Sequence, residues 1–238
     1  MTDPRRQERT LAALRNAWEG QPDVSLSTFF AMLAAEGYGW GVEDEELIAK
    51  LEEMAAVRPP LLPLDSETRR AAEGLWLAVT ESHRVTLSAT QVVVRPLRVA
   101  GQPTAWAYSS LRPVGPNRPL VVCDAEGFEH RFGVVSSVTR LGEDARPLTG
   151  LNRRSVGERA WFIRTEEETI FLDHGLRVYT KRNRQLEREE FAWQRIVTGE
   201  VGRPLEVQLA RGTRAQWGSV QEILLAEAPP WQGPAVRP

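Results

Sequence analysis

The 238-residue sequence predicts an α+β fold: an N-terminal bundle of three to four helices, then antiparallel β structure as one or two barrels or sandwiches, then a short closing helix. Three observations carry that expectation. Apolar residues recur at helical spacing through the first 60 residues, the period becomes two from Leu75, and the strand-sized runs beyond are separated by glycine, proline and asparagine. The loops "RPVGPNRP" and "GEDARPLTG" divide the β region near residue 145. The expected organisation is an acidic helical bundle at 1–62, β modules at 63–145 and 146–227, and a disordered tail at 228–238.

Asp3 and Pro4 supply an N-cap and first-turn pair for helix one, with Leu11, Leu14 and Trp18 recurring on one face. Ser25 can cap a second helix whose Leu26, Phe29, Phe30 and Leu33 follow the helical spacing up to Gly37. After "GYGWG", a third helix opens with Glu43 to Glu46, where the positive end of the helix dipole favours acids. Leu47, Ile48, Leu51, Met54 and Ala55 form its stripe, and "RPPLLP" stops it because proline cannot continue the ladder. A short fourth helix is expected from Asp65 to Glu73.

Strands are expected at 75–80, 84–94, 104–110, 118–124, 128–135, 160–164, 169–172, 176–181, 190–197 and 204–210. "LEVQLA" is the clearest, alternating Leu205, Val207 and Leu209 with Glu206 and Gln208. "SVQE" at 219–222 fits a capping box for the closing helix, with Trp217, Val220 and Leu224 at helical spacing.

Composition excludes several classes. Hydrophobic residues at 42% and charged residues at 26% exclude global disorder. No apolar run approaches the ~20 residues of a membrane span, and the basic start "MTDPRRQERT" has no apolar stretch behind it to make a secretory signal. The only cysteine, Cys123, can form no internal disulfide, which fits a reducing cytoplasm. Twenty-eight of the 30 basic residues are arginine, and with abundant alanine, glycine and proline this points to a high-GC bacterium. Neither Lys50 nor Lys181 follows a glycine, so there is no phosphate-binding GxxxxGK[ST] loop. One cysteine and three scattered histidines predict no metal site, and no cofactor is expected.

Four constellations bear on function. In "VVCDAEGFEH", Asp124 to Gly127 has the chemistry of a three-residue hairpin loop. That loop sets Val122 opposite His130 and Cys123 opposite Glu129, whereas a two-residue Glu-Gly turn would slip the register by one and set Cys123 opposite His130. The turn chemistry favours the first, and both side chains are read as structural rather than as a nucleophile and its base. In "LDHGLRVYT", Asp173 beside His174 would suit an oriented base, yet Asp-His-Gly between two apolar pairs is also a hairpin tip. In "RVYTKRNRQLEREE", Arg177, Tyr179, Lys181, Arg182 and Arg184 would serve a single-stranded nucleic-acid groove by phosphate attraction and base stacking. Glu187, Glu189 and Glu190 follow at once and offset them. A helix-turn-helix reading of helices two and three meets the same objection, because Glu43 to Glu46, Glu52 and Glu53 repel phosphate.

"LRNAWEGQPDVSLSTFF" with "GYGWGVEDEELIAKL" resembles the start of a family of actinobacterial proteins over the first 55 residues or so. Separately, "TIFLDHGLRVYT", "FAWQRIV" and "LEVQLARG" are similar to bacterial pleckstrin-homology-like modules. Neither resemblance carries functional residues across. Residues 1–75 hold 14 acids and 8 bases, leaving a small positive excess for the remainder. The leading expectation is thus a cytoplasmic, non-enzymatic interaction protein whose partner is another protein. A nucleic-acid-binding regulator using Arg177–Arg184 comes second, and an enzyme using His174 with Asp173, or His130, comes third.

Overall fold

A computed structural model describes residues 4–97, 101–142, 147–182 and 185–232. Three helices open the chain: α1 (Pro4–Glu19), α2 (Leu26–Ala35) and α3 (Asp44–Val57). Thirteen strands follow among the described residues. The molecule is therefore mainly β, which corrects the expected helical bundle followed by barrels. Packing groups the described chain into two units. One unit holds Met1–Gln91, Ala107–Leu141 and Pro230–Pro238, and the other holds Val92–Trp106 and Gly142–Pro229.

The helices meet around Ala13, Ala17, Phe29, Leu33, Ile48 and Leu51. The inward face of α1 is made by its alanines, so the expected Leu11–Leu14–Trp18 stripe is rotated: Leu11 and Trp18 are exposed. Ser25 caps α2 by accepting a hydrogen bond from the Thr28 amide at 3.2 Å. The other end is a Schellman motif, in which the Tyr38 amide donates to Leu33 and the Gly37 amide to Ala34. Gly37 supplies the left-handed residue this requires, at φ 93°.

The first sheet closes into a barrel in sequence order: β1 (Leu75–Thr80), β2 (His83–Leu87), β3 (Gln91–Pro96), β4 (Thr104–Leu111), β5 (Pro119–Asp124) and β6 (Glu129–Leu141). Closure is visible at Trp76, which pairs with Leu87 on one side and Arg140 on the other. The single strand expected at 84–94 is broken by a turn, where the Ser88 amide donates to Gln91. The β5–β6 hairpin has the expected register, Val122 with His130 and Cys123 with Glu129, and Gly127 takes φ 89°.

The expected fourth helix is instead a closed loop. Asp65 Oδ1 accepts from the amides of Glu67 and Thr68, Arg69 turns the chain at φ 58°, and Leu64 bridges Ala71. An aspartate that satisfies nearby amides with its own side chain favours such a turn over a helix interior. The buried Tyr108 phenol locks the loop, accepting from the Ala71 amide at 2.9 Å and donating to Ser88 O at 2.6 Å. Burial pushes that phenol's pKa up, so it stays protonated as a donor.

The second sheet runs β7 (Ala160–Thr165), β8 (Glu168–Leu172), β9 (Leu176–Arg182), β10 (Gln185–Phe191), β11 (Trp193–Thr198), β12 (Pro204–Leu209) and β13 (Arg214–Glu227). Its spatial order is β10-β9-β8-β7-β13-β12-β11, leaving β10 and β11 as edges. The expected closing helix is thus the strand β13. "EILLA" is apolar on both faces, a pattern that alternation cannot separate from a helix. Val220, Ile223 and Leu225 enter one cluster with Trp161, Trp193 and Ile196, while Leu224 and Ala226 enter another with Phe162, Phe171 and Tyr179. Beyond β13 the Trp231 amide donates to Arg140 O, and the Arg140 guanidinium lies 4.3 Å from the Trp231 ring.

Candidate functional site

The helix-stop segment of residues 58–62 builds one wall of a concavity. α3 ends at Arg58, whose successors Pro59 and Pro60 carry no amide donor to extend it. The chain then runs as a strap held by two close backbone approaches. A Cβ on Gly20 would lie 1.8 Å from Arg58 O, and one on Gly115 would lie 2.2 Å from Pro60 O. Only glycine allows either approach. The Leu62 amide donates to Val114 O at 2.7 Å, tying the strap to the loop after β4.

Two turns complete the walls. Past α1, the Gln21 amide donates to Trp18 O, and Trp18 Nε1 donates to Val24 O at 2.7 Å, which fixes the indole. On the opposite wall, Gly115-Pro116-Asn117-Arg118 is a turn closed by the Arg118 amide on Gly115 O at 3.1 Å. Proline at its second position and Asn117 at φ 63° match a type II turn. Hydrogen bonds from the Asn117 amide to Val135 O, and from the Val135 amide to Arg118 O, pin the turn to β6.

The groove so formed encloses about 510 Å³. Pro22, Pro60, Leu61, Pro116 and Trp18 supply apolar walls; Asn16, Glu19, Asn117 and Arg118 supply polar groups. Among the described residues, none of those four polar side chains makes a hydrogen bond or ion pair within the protein. Two amides that donate and accept, one cation and one anion, all unpartnered on rigid walls, can hold a polar chain. No histidine, cysteine or hydroxyl lines the groove, so it offers no nucleophile with a base beside it.

The residues singled out in the sequence lie elsewhere. Tyr179 is only 5% exposed, packed with Phe162 and Phe171, so its ring presents no face for base stacking. Arg177 pairs with Asp173 and lies over the Phe171 ring at 5.0 Å. Lys181 is exposed and opposes Leu186 across β9 and β10. Arg182 pairs with Gln185 in the backbone register, and Arg184 lies outside the described residues. Asp173 also accepts from the Gly175 amide at 2.7 Å, and no hydrogen bond joins its carboxylate to the His174 ring. Arg153 Nε instead donates to the His174 carbonyl at 2.7 Å.

His130 Nε2 lies 2.8 Å from Asp124 Oδ2, while Oδ1 accepts from the amides of Glu126 and Phe128. The contact to His130 is the first cause holding the Asp124 carboxyl below its ordinary range, followed after opposing desolvation by the two amides. These bonds fasten the hairpin tip. Among the described residues, no group of three or more histidines, cysteines or acids could hold a metal ion. No helix of the described residues is long and apolar enough to cross a membrane.

The groove was not apparent in the sequence because its three parts lie in segments far apart along the chain and each had a local explanation. "RPPLLP" read as a helix stop, "RPVGPNRP" as a loop and Trp18 as core. The usable signal was paired: a glycine beside each contact and "GPN" as a type II turn. No family model, curated protein or solved structure matches the chain.

Proposed function

We propose that the protein is a non-enzymatic interaction module that holds an extended segment of a partner protein in the strap groove. The observation carrying this reading is the set of unpartnered polar side chains, Asn16, Glu19, Asn117 and Arg118, on a concave surface with proline and tryptophan walls. An extended segment brings free amides and carbonyls, which the two asparagine side chains can meet without charge. The apolar walls take its side chains, and a volume of about 510 Å³ falls within the ~300–1,000 Å³ of ligand pockets. The walls are already tied in place, so little ordering cost opposes binding. The free thiol of Cys123 suits a reducing bacterial cytoplasm as the setting.

Random linear peptides displayed and selected against the intact protein test this reading. Enriched peptides are expected to shift the side-chain amide resonances of Asn16 and Asn117. Their affinity should fall at least tenfold in Trp18→Ala and in Arg118→Glu. Selected peptides that leave those resonances untouched, or that bind both variants as well as the parent, would refute it.

A further inference from the structure

The loop between α2 and α3 presents a different feature, outside the groove. Trp40 is fully exposed, the most accessible large apolar side chain among the described residues. Backbone geometry shapes its loop: the Schellman motif closes α2 before it, and Gly37 and Gly41 take φ values of 93° and 87°. Tyr38, two residues earlier, is drawn against the helical cluster, with Lys50 Nζ 5.6 Å from its ring centre. Trp40 has no such contact. An indole kept in water on a shaped loop is the arrangement of an interface anchor.

The surrounding charge selects the occupant. Glu43, Glu45 and Glu46 are exposed and, among the described residues, their side chains make no hydrogen bond or ion pair. Their neighbours differ, since Asp44 pairs with Arg6 at 3.0 Å and Glu36 with Lys50 at 2.8 Å. Three carboxylates without an ion-pair partner among the described residues, on the opening turn of α3, follow Trp40 within six residues. They would repel an anionic lipid surface. In a symmetric pairing of two copies they would face each other and repel again. We propose that Trp40 anchors the docking of a basic segment of a partner protein, its ring stacking on an arginine or lysine while Glu43, Glu45 and Glu46 meet the charge. Such a contact joins a cation–π interaction to charge complementarity.

The probe is a labelled peptide, Ac-GRGRGRG-NH2, with Ac-GEGEGEG-NH2 as control, followed by fluorescence anisotropy on the full chain. The arginine peptide should bind and the glutamate peptide should not. Trp40→Ala should weaken binding at least tenfold with an unchanged thermal midpoint, because the side chain packs against nothing. Glu43→Gln, Glu45→Gln and Glu46→Gln combined should weaken it similarly and flatten its salt dependence. The Trp40 indole N–H resonance should move with the arginine peptide, whereas Trp18→Ala should leave the affinity unchanged. That last arm separates this surface from the groove. Equal binding of both peptides, or unchanged affinity in Trp40→Ala, overturns the proposal. So does Trp40-dependent co-sedimentation with phosphatidylserine vesicles, or Trp40-dependent self-association in sedimentation velocity.

Discussion

Two hollows in the helix-bearing unit differ in how their polar groups are used. The hollow between α2 and α3, of about 200 Å³, is lined by Gln21, Glu36, Lys50, Glu53 and Arg58 among apolar residues. Its polar groups satisfy one another: Arg58 Nη1 donates to Gln21 Oε1 at 2.9 Å, and Lys50 Nζ lies 2.8 Å from Glu36 and 3.4 Å from Glu53. In the strap groove the polar side chains have no such partners. Concavity alone does not distinguish a site from a seam. The state of the polar groups does, because a hollow whose charges are already paired gives up interactions when a ligand enters.

The largest expected effect separates the two by construction. Gly115→Val places a branched side chain where even a Cβ would overlap Pro60 O, so strap and turn must part. Overpacking of this kind costs about 1–3 kcal/mol or more, and peptide retention in the groove should vanish. Urea denaturation reads the first effect and anisotropy the second. A variant that kept the parent midpoint would mean that the strap does not sit where the groove needs it.

Next in size is Lys50→Met, which breaks the paired hollow and should leave groove binding intact. The Lys50 ammonium is held above its ordinary pKa chiefly by its hydrogen bond to Glu36, against the lowering effect of burial. Its raised folded-state pKa makes the contribution complete below the unfolded value and lost as pH rises through the folded one. Because Glu36 and Glu53 are open to solvent, the cost at neutral pH should be no more than about 1 kcal/mol. Urea midpoints of parent and variant should converge only in strongly alkaline solution. A gap that persisted or widened there would assign the effect to lost packing instead.

Much of the β architecture was legible because its signals are local. Asp124 and Gly127 favoured a three-residue loop over a two-residue turn, and the observed register places Val122 opposite His130 as that loop requires. Alternation in "LEVQLA" found β12 for the same reason. The misses arise where burial is decided by partners distant in sequence. Leu224 and Leu225 are consecutive yet pack into opposite clusters, so β13 carries no alternation to read. Trp18 lost its core position to Ala17, because close helix packing at α1 favoured the smaller side chain. Tyr179 resembled an exposed stacking residue only because the aromatics covering it, Phe162 and Phe171, lie on other strands.

A smaller stability effect, with a large binding effect, is expected for Trp18→Ala and Arg118→Ala. Trp18 is 36% exposed and Arg118 makes no ion pair, so the Arg118 change should stay within about 0.5 kcal/mol of the parent. Losing the solvent-exposed Trp18 bond to Val24 O adds about 0.5 kcal/mol, the low end for an intramolecular hydrogen bond. Groove peptides should nevertheless bind at least tenfold more weakly to both. If binding instead fell in proportion to stability, the groove's polar groups would be no more than surface decoration, and its contrast with the paired hollow would dissolve.

The smallest effects belong to the β5–β6 hairpin, whose residues line neither hollow. Cys123→Ser replaces one partly buried small side chain by another on a strand whose pairing to Glu129 is backbone-made. Neither the urea midpoint nor peptide retention should change measurably at neutral pH. Asp124→Asn should also be quiet there in binding, but its acid limb is diagnostic. The Asp124 carboxyl is depressed by His130 and by two amides, so its contribution is present above the unfolded carboxylate pKa and disappears as pH falls through the folded value. Midpoints measured from pH 6 down to pH 2 should therefore show parent and Asp124→Asn drawing together in acid. Loss of groove binding in either variant, with the fold intact, would bring this hairpin into the site and break the assignment of function to the strap.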